Sequence, residues 1–124
     1  MSTDQALVAS LVFARAAELQ GELEPKGLRP GYDTGSPEVS STHFYSHGGT
    51  RVGVWECTPG GWAIDNRPDT ETMLLLKGHV RMTTRGEAPV ELRAGDVFVL
   101  PKGWSGRWDV LETTRKLFIL ADGQ

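Results

Sequence analysis

The chain has 124 residues, 23% of them charged and 39% hydrophobic, with a formal net charge of -3. That length holds one domain with a real core, the charge offers no basic footprint for a nucleic acid, and apolar runs such as Met73–Leu76 are too short to cross a bilayer. The start, Met1-Ser-Thr-Asp-Gln, lacks a basic secretory n-region and Cys57 is the single cysteine, so no internal disulfide and a cytoplasmic location are expected.

In chain order, Leu7, Leu11 and Ala14 stand at helical spacing among Ala, Glu and Gln, which favours some helix over 4–18. Leu11-Val-Phe13 fits equally well a short strand that runs into a helical turn at Ala14–Leu19. Between Leu23 and Ser41, Pro25, Gly27, Pro30, Gly31, Gly35 and Pro37 leave no room for a regular element and predict an extended wrapping segment. Residues 1–42 are therefore expected to pack, as an N-terminal segment, on a β-barrel formed by 43–122.

From His43 the pattern is β. Val52–Cys57 is a strand stopped by Pro59-Gly60-Gly61, and in Trp62–Asn66 the residues Trp62, Ile64 and Asn66 share one face. Glu71–Lys77 is a strand turned by Gly78 into His79–Thr84, where Val80 and Met82 face one way. Val90–Arg93 and Val97–Leu100 follow across the turn at Gly95. After Pro101-Lys-Gly103 come Trp104–Val110, with Trp104 and Trp108 on one face, and a last strand at Lys116–Leu120. Roughly eight short strands with frequent turns predict an all-β sandwich or barrel. Gly78, Gly95 and Gly103 are assigned to turns rather than chemistry.

Two spacings carry a resemblance. Glu71 and Gly78 enclose six residues, and Gly95 is followed by five residues and then Pro101-Lys-Gly103. These match the end of the first motif and most of the second motif of the cupins. Val54-Trp55-Glu56-Cys57-Thr58-Pro59-Gly60, Ser36-Pro37-Glu38 and Val110–Leu117 further resemble a group of short single-domain cupins, related to ureidoglycine aminohydrolase-type and ethanolamine-utilisation cupins. The resemblance covers about residues 20–120 and implies a double-stranded β-helix, or jelly-roll barrel. It says little about chemistry, because one barrel serves many reactions.

In metal-binding cupins, histidines and the motif glutamate hold a divalent ion. Here parity puts Ile64 and Asn66 in the first two histidine places, with Asp65 and Arg67 as the alternative, and the second motif's histidine falls at Gly106. Only Glu71 remains, which is too few ligands for a transition metal, so no metal and no cofactor are expected. Glu71 is the sharpest candidate. Aimed at the barrel axis beside Met73 and the tryptophans, it is expected among apolar rings that favour its protonated form, either as a general base or as a retained structural residue. Trp62, Trp104 and Trp108 offer a stacking box, although core filling is the better account of them.

The expected ligand site is therefore Trp62, Ile64, Asn66, Glu71, Met73, Trp104 and Trp108. His43, His47 and His79 are assigned to the surface, Cys57 to the core as a structural thiol, and the arginines Arg51, Arg67, Arg107 and Arg115 mostly to solvent. The leading expectation is a cupin that binds a polar small molecule. The alternatives are a hydrolase or isomerase acting on a small ureide, amino or sugar-derived metabolite, and a ligand-free structural dimer. Both faces of Met73–Leu76 and Val97–Leu100 are apolar, so a homodimer is expected to cover the outer face.

Overall fold

The computed structural model describes residues 9–123. It holds a short helix, α1 (Ala16–Gln20), and the strands β1 (Glu24–Leu28), β2 (Tyr32–Gly35), β3 (Glu38–His47), β4 (Thr50–Cys57), β5 (Gly60–Ile64), β6 (Thr70–Thr84), β7 (Val90–Arg93), β8 (Val97–Leu100) and β9 (Gly106–Ala121). The strands form one curled sheet in the order β1-β3-β4-β9-β5-β2, with β6 pairing β7, β8 and β9. Every pairing is antiparallel. The all-β barrel expected from the strand pattern is the fold observed. Among the described residues no helix is long and apolar enough to cross a membrane.

β9 organises the barrel. Its first half pairs β5, with Trp62 opposite Trp108, and its second half pairs β4, with Trp55 opposite Lys116. Along its other edge runs β6, from Thr84 opposite Gly106 to Thr70 opposite Ala121. The inner face carries a core of Trp62, Met73, Leu75, Val80, Met82, Leu100, Trp108, Val110 and Phe118. In β6 the buried positions are Glu71, Met73 and Leu75, and then Val80 and Met82. The change of phase occurs at register shifts between Leu75 and Val80. Gly78 sits there at φ +102°, where a Cβ would overlap Thr114 Oγ1 and the Thr113 carbonyl. The expected turn at Gly78 is thus a bulge within one strand, and it lets both halves aim apolar side chains inward.

Three further expectations are corrected. Trp104 still belongs to the loop after Pro101, and the rest of the run to Val110 joins Lys116–Leu120 in the single strand β9, which the charged stretch between them does not interrupt. The proline- and glycine-rich stretch holds β1, β2 and the start of β3. β1 and β2 lie at the two ends of the main strand order, where Pro25 is tolerated beside a register shift at Pro25/Gly27. The helix is confined to Ala16–Gln20. Arg15 is extended (φ -83°, ψ 158°) and its N–H donates to Glu18 Oε1 at 2.9 Å, which sets the helix start. Residues 9–15 are not helical, and residues 4–8 of the expected helix lie outside the described residues.

Candidate functional site

One end of the barrel holds a cavity of about 230 Å³ lined by Arg29, Ser41, His43, Trp55, Trp62, Ile64, Arg67, Glu71, Trp108, Lys116, Phe118 and Leu120. β6 supplies Glu71 at an inward position and β9 supplies Lys116 from the same inner row as Trp108 and Phe118. Arg67 enters from the β5–β6 connection. Its N–H donates to the Trp104 carbonyl at 2.9 Å, and its own carbonyl accepts from Gly103 N–H at 2.8 Å. The Pro101-Lys-Gly103 loop therefore holds a cavity residue in place. Asn66, at φ +54°, lies in the left-handed region just before it.

Glu71 is the hub of the polar network. Its Oε2 lies 2.7 Å from Lys116 Nζ and its Oε1 lies 3.1 Å from Arg67 Nη1. Arg67 Nη2 also reaches Asp69 Oδ1 at 2.6 Å, and Asp69 lies 3.6 Å from Arg51. Glu71, Lys116 and Asp69 are all 5% exposed, so the two pairs exist largely without water. Such pairs hold together because separating them would strand a buried charge, although forming them already costs desolvation.

The aromatic wall shapes the rest. The Trp62 and Trp108 rings are stacked, 5.7 Å apart and inclined by 16°, and Trp55 packs edge-on or tilted against both. Lys116 Nζ sits 4.2 Å from the Trp55 centroid and 4.4 Å from that of Trp108, a cation held over two ring faces. Burial pulls the Lys116 ammonium below the ordinary lysine value, with Arg67 and Arg29 adding to that pull and the Glu71 charge opposing it. Arg29 lies over Trp62, 4.9 Å from its centroid, and burial lowers its guanidinium too.

Of the residues expected at the site, the structure brings together Trp62, Ile64, Glu71 and Trp108. Met73 is buried in the core behind them. Trp104 faces another groove and its indole N–H donates to Thr84 Oγ1 at 2.9 Å. Asn66 is exposed in its turn, where its N–H donates to Ser105 Oγ. The alternation ends at Ile64, and the left-handed Asn66 swings Arg67 inward in its place. Glu71 does not stand alone among apolar rings as expected, since two cations face it. His43 is exposed, as assigned, yet it also lines the cavity and packs edge-on against Phe118 at 5.4 Å. His79 pairs with Glu91 on the outside. Cys57 is buried and its thiol is pushed up to about 11 by that burial, which fits a structural role.

The sequence reasoning missed Trp55, Lys116 and Arg29, and it assigned to solvent both Arg67, which lines the cavity, and Arg115, which is buried against Glu56. Lys116 lies an even number of residues beyond Trp108, so parity along an unbroken β9 would have found it. Trp55 alternates with Gly53 and Cys57 on the inner face of β4. Arg29 lies between β1 and β2 and carries no comparable signal.

The residues present do not fit the cupin metal. Ile64 lines the cavity and pairs with Gly106 across β5 and β9, and neither offers a donor side chain. Lys116 already occupies one oxygen of Glu71. Among the described residues, no group of three or more His, Cys, Asp or Glu side chains is arranged to hold a metal ion.

Comparison with known proteins agrees with this architecture. A DUF861-family protein of unknown function from Pseudomonas syringae superposes with a TM-score of 0.75 at 20% identity, over 83% of this chain and 46% of that one. The chain thus spans less than half the length of that protein. The EutQ protein of Clostridium difficile gives a TM-score of 0.61 at 18% identity, over 72% of this chain and 73% of that one. A DUF861-family protein from Thermotoga maritima is 33% identical over 54% of this chain and 75% of its own, with a TM-score of 0.51. No curated protein matches the chain. The family model described as the EutQ-like cupin domain matches residues 46–118, more than half of the sequence, and the chain belongs to that family.

Proposed function

We propose that this cupin binds a small polar molecule in the cavity around Glu71, and that an internal ammonium–carboxylate pair stands where other cupins carry a metal. The observation that carries this is the contact of Glu71 with Lys116 at 2.7 Å, with both side chains lining the cavity beneath the tryptophans. A cavity of about 230 Å³ lies below the roughly 300–1,000 Å³ of drug-sized sites, which supports a small metabolite over a nucleotide. Protein purified without an affinity tag and screened by thermal shift tests the proposal. The expected result is a metabolite that raises the melting temperature equally with and without EDTA, and does so less in Glu71→Gln. A ligand that binds only with about one zinc, manganese or nickel per chain contradicts it, and so does a screen with no ligand at all, the behaviour of a ligand-free scaffold.

The same pair supports a catalytic reading, in which Glu71 is the general base of a hydrolase or isomerase acting on a small ureide, amino or sugar-derived metabolite. The supporting observation is the lowered Lys116 ammonium in hydrogen-bond contact with Glu71, an arrangement suited to passing a proton. Turnover of a bound metabolite, lost in Glu71→Gln, is its test.

We further propose a homodimer across the outer face. Val97 pairs across to Leu74 and on to Leu117, and Val99 to Thr72 and Ile119, so a stripe that is apolar apart from Thr72 crosses three strands and ends at β8, which among the described residues pairs only β6. Val97 is 64% exposed and Val99 48%. Isologous pairing of such a face is the commonest assembly. Sedimentation as a dimer at roughly 10–50 μM is expected, and a monomer there contradicts it.

A further inference from the structure

The cavity carries an imbalance of charge that points to its ligand. Among the described residues that line it, Arg29, Arg67 and Lys116 are cationic and Glu71 is the one carboxylate. Arg67 is engaged by Asp69 and Glu71. Lys116 gives one donor to Glu71 and otherwise lies against the faces of Trp55 and Trp108. Arg29 has no carboxylate partner among the described residues. Its side-chain hydrogen bond goes to the neighbouring Pro30 carbonyl, and most of its five N–H donors stay open. The guanidinium nevertheless lies over Trp62 at the cavity wall, where burial works against its charge, Arg67 repels it and Glu71 draws it from a distance. A guanidinium placed without a carboxylate partner over an aromatic ring at a cavity wall is an arrangement completed by an oxyanion.

We infer that the ligand is a small monocarboxylate with an apolar or planar body, its carboxylate gripped by Arg29 and its body laid along the Trp55–Trp62–Trp108 wall. This rests on the cavity being a ligand site and goes beyond it by naming the chemical class and the anchoring residue. A carboxylate suits the site better than a phosphate. With Asp69 already paired to Arg67, one incoming negative charge balances the cation that Glu71 and Asp69 leave over, the forked guanidinium matches its two oxygens, and the walls offer rings and aliphatic side chains for the remainder. A cavity of about 230 Å³ lies below the roughly 300 Å³ of the smallest drug-sized sites, which keeps the body to a short chain or a single ring.

The test is calorimetry with acetate, butyrate and benzoate, each beside its own amide and amine, and with inorganic phosphate. It is run on the parent chain, Arg29→Gln and Arg29→Lys. Arg29 lies in a half-buried connection outside the strands, so both variants are expected to fold like the parent. At least one acid should bind tenfold or more tightly than its amide, Arg29→Gln should erase that preference, and Arg29→Lys should keep part of it. Added salt should weaken the acid and leave the amide unchanged. Amides or amines that bind as well as the acids, phosphate that outcompetes them, or a preference indifferent to Arg29 overturns the inference and leaves the cavity a ligand site. Failure of all these probes, together with a silent metabolite screen, overturns both.

Discussion

Arg115 and Lys116 are neighbours in β9, both buried and both paired with a glutamate, yet they serve opposite sides of the wall. Lys116 points inward to Glu71 at 2.7 Å, beneath two tryptophan faces and beside the cavity. Arg115 points outward to Glu56 at 2.8 Å, and its Nη1 donates to the Leu19 carbonyl at 2.7 Å, tying the C-terminal end of α1 to the barrel. Both cations are buried and paired, although Glu56 is more open than Glu71 and also meets Lys77, and the larger difference is what each pair touches next. The inner pair lines a cavity walled by three tryptophans, while the outer one lines a groove beside α1 that no aromatic ring among the described residues walls, and it caps a carbonyl the helix end leaves open. A buried ion pair is thus no mark of a functional site until its surroundings are named.

The strongest way to break the comparison is to remove the inner cation. Lys116→Met leaves Glu71 buried with Arg67 as its remaining partner, and should cost about 3–5 kcal/mol in urea unfolding. The double variant Glu71→Met with Lys116→Met should recover much of that, because it removes both charges and keeps volume. If the two losses simply add, the pair is not coupled and the account of Glu71 is wrong. With two cations facing the carboxylate, Glu71→Gln should cost about 2–4 kcal/mol.

Gly78→Ala acts on the frame that both residues share. With φ at +102° and Thr114 in the way, it should cost about 2–4 kcal/mol and lower the melting temperature without changing the relative affinities of ligands. On the outer face, Arg115→Met should cost about 1–3 kcal/mol and release α1. Limited proteolysis near Leu19 should accelerate while cavity binding is retained, and protection equal to the parent's would deny the clamp. The smallest effect belongs to the exposed pair of Arg81 and Glu91, whose carboxyl is held below its ordinary value by Arg81 and His79. Arg81→Ala should leave the denaturation midpoint almost unmoved, and a large shift would show that exposure misjudges this outer cluster.

The barrel was legible because its cues are local. Alternation in Trp62–Ile64 and in Glu71–Leu75, with glycines between apolar runs, is written in neighbouring residues. Glu71, Trp62, Ile64 and Trp108 followed from that parity. What the alternation could not carry was any break in it. The bulge at Gly78 hid the continuity of β6, and the polar stretch near Glu112 hid that of β9, so Lys116 was read on a separate strand. Asn66 was placed inside by counting, whereas its left-handed backbone ended the count and brought Arg67 in instead. Arg29 was beyond reach for another reason. Its place over Trp62 depends on how the connection between two edge strands crosses the barrel end, which no short-range pattern encodes.

The central claim is that the inner pair, and not merely a buried charge in β9, makes the ligand site. A thermal-shift screen of small metabolites read side by side on the parent, Lys116→Met and Arg115→Met tests it most directly. The account predicts stabilising ligands on the parent that persist in Arg115→Met and disappear in Lys116→Met. Ligands that survive in both variants, vanish equally from both, or are absent from the parent would contradict it.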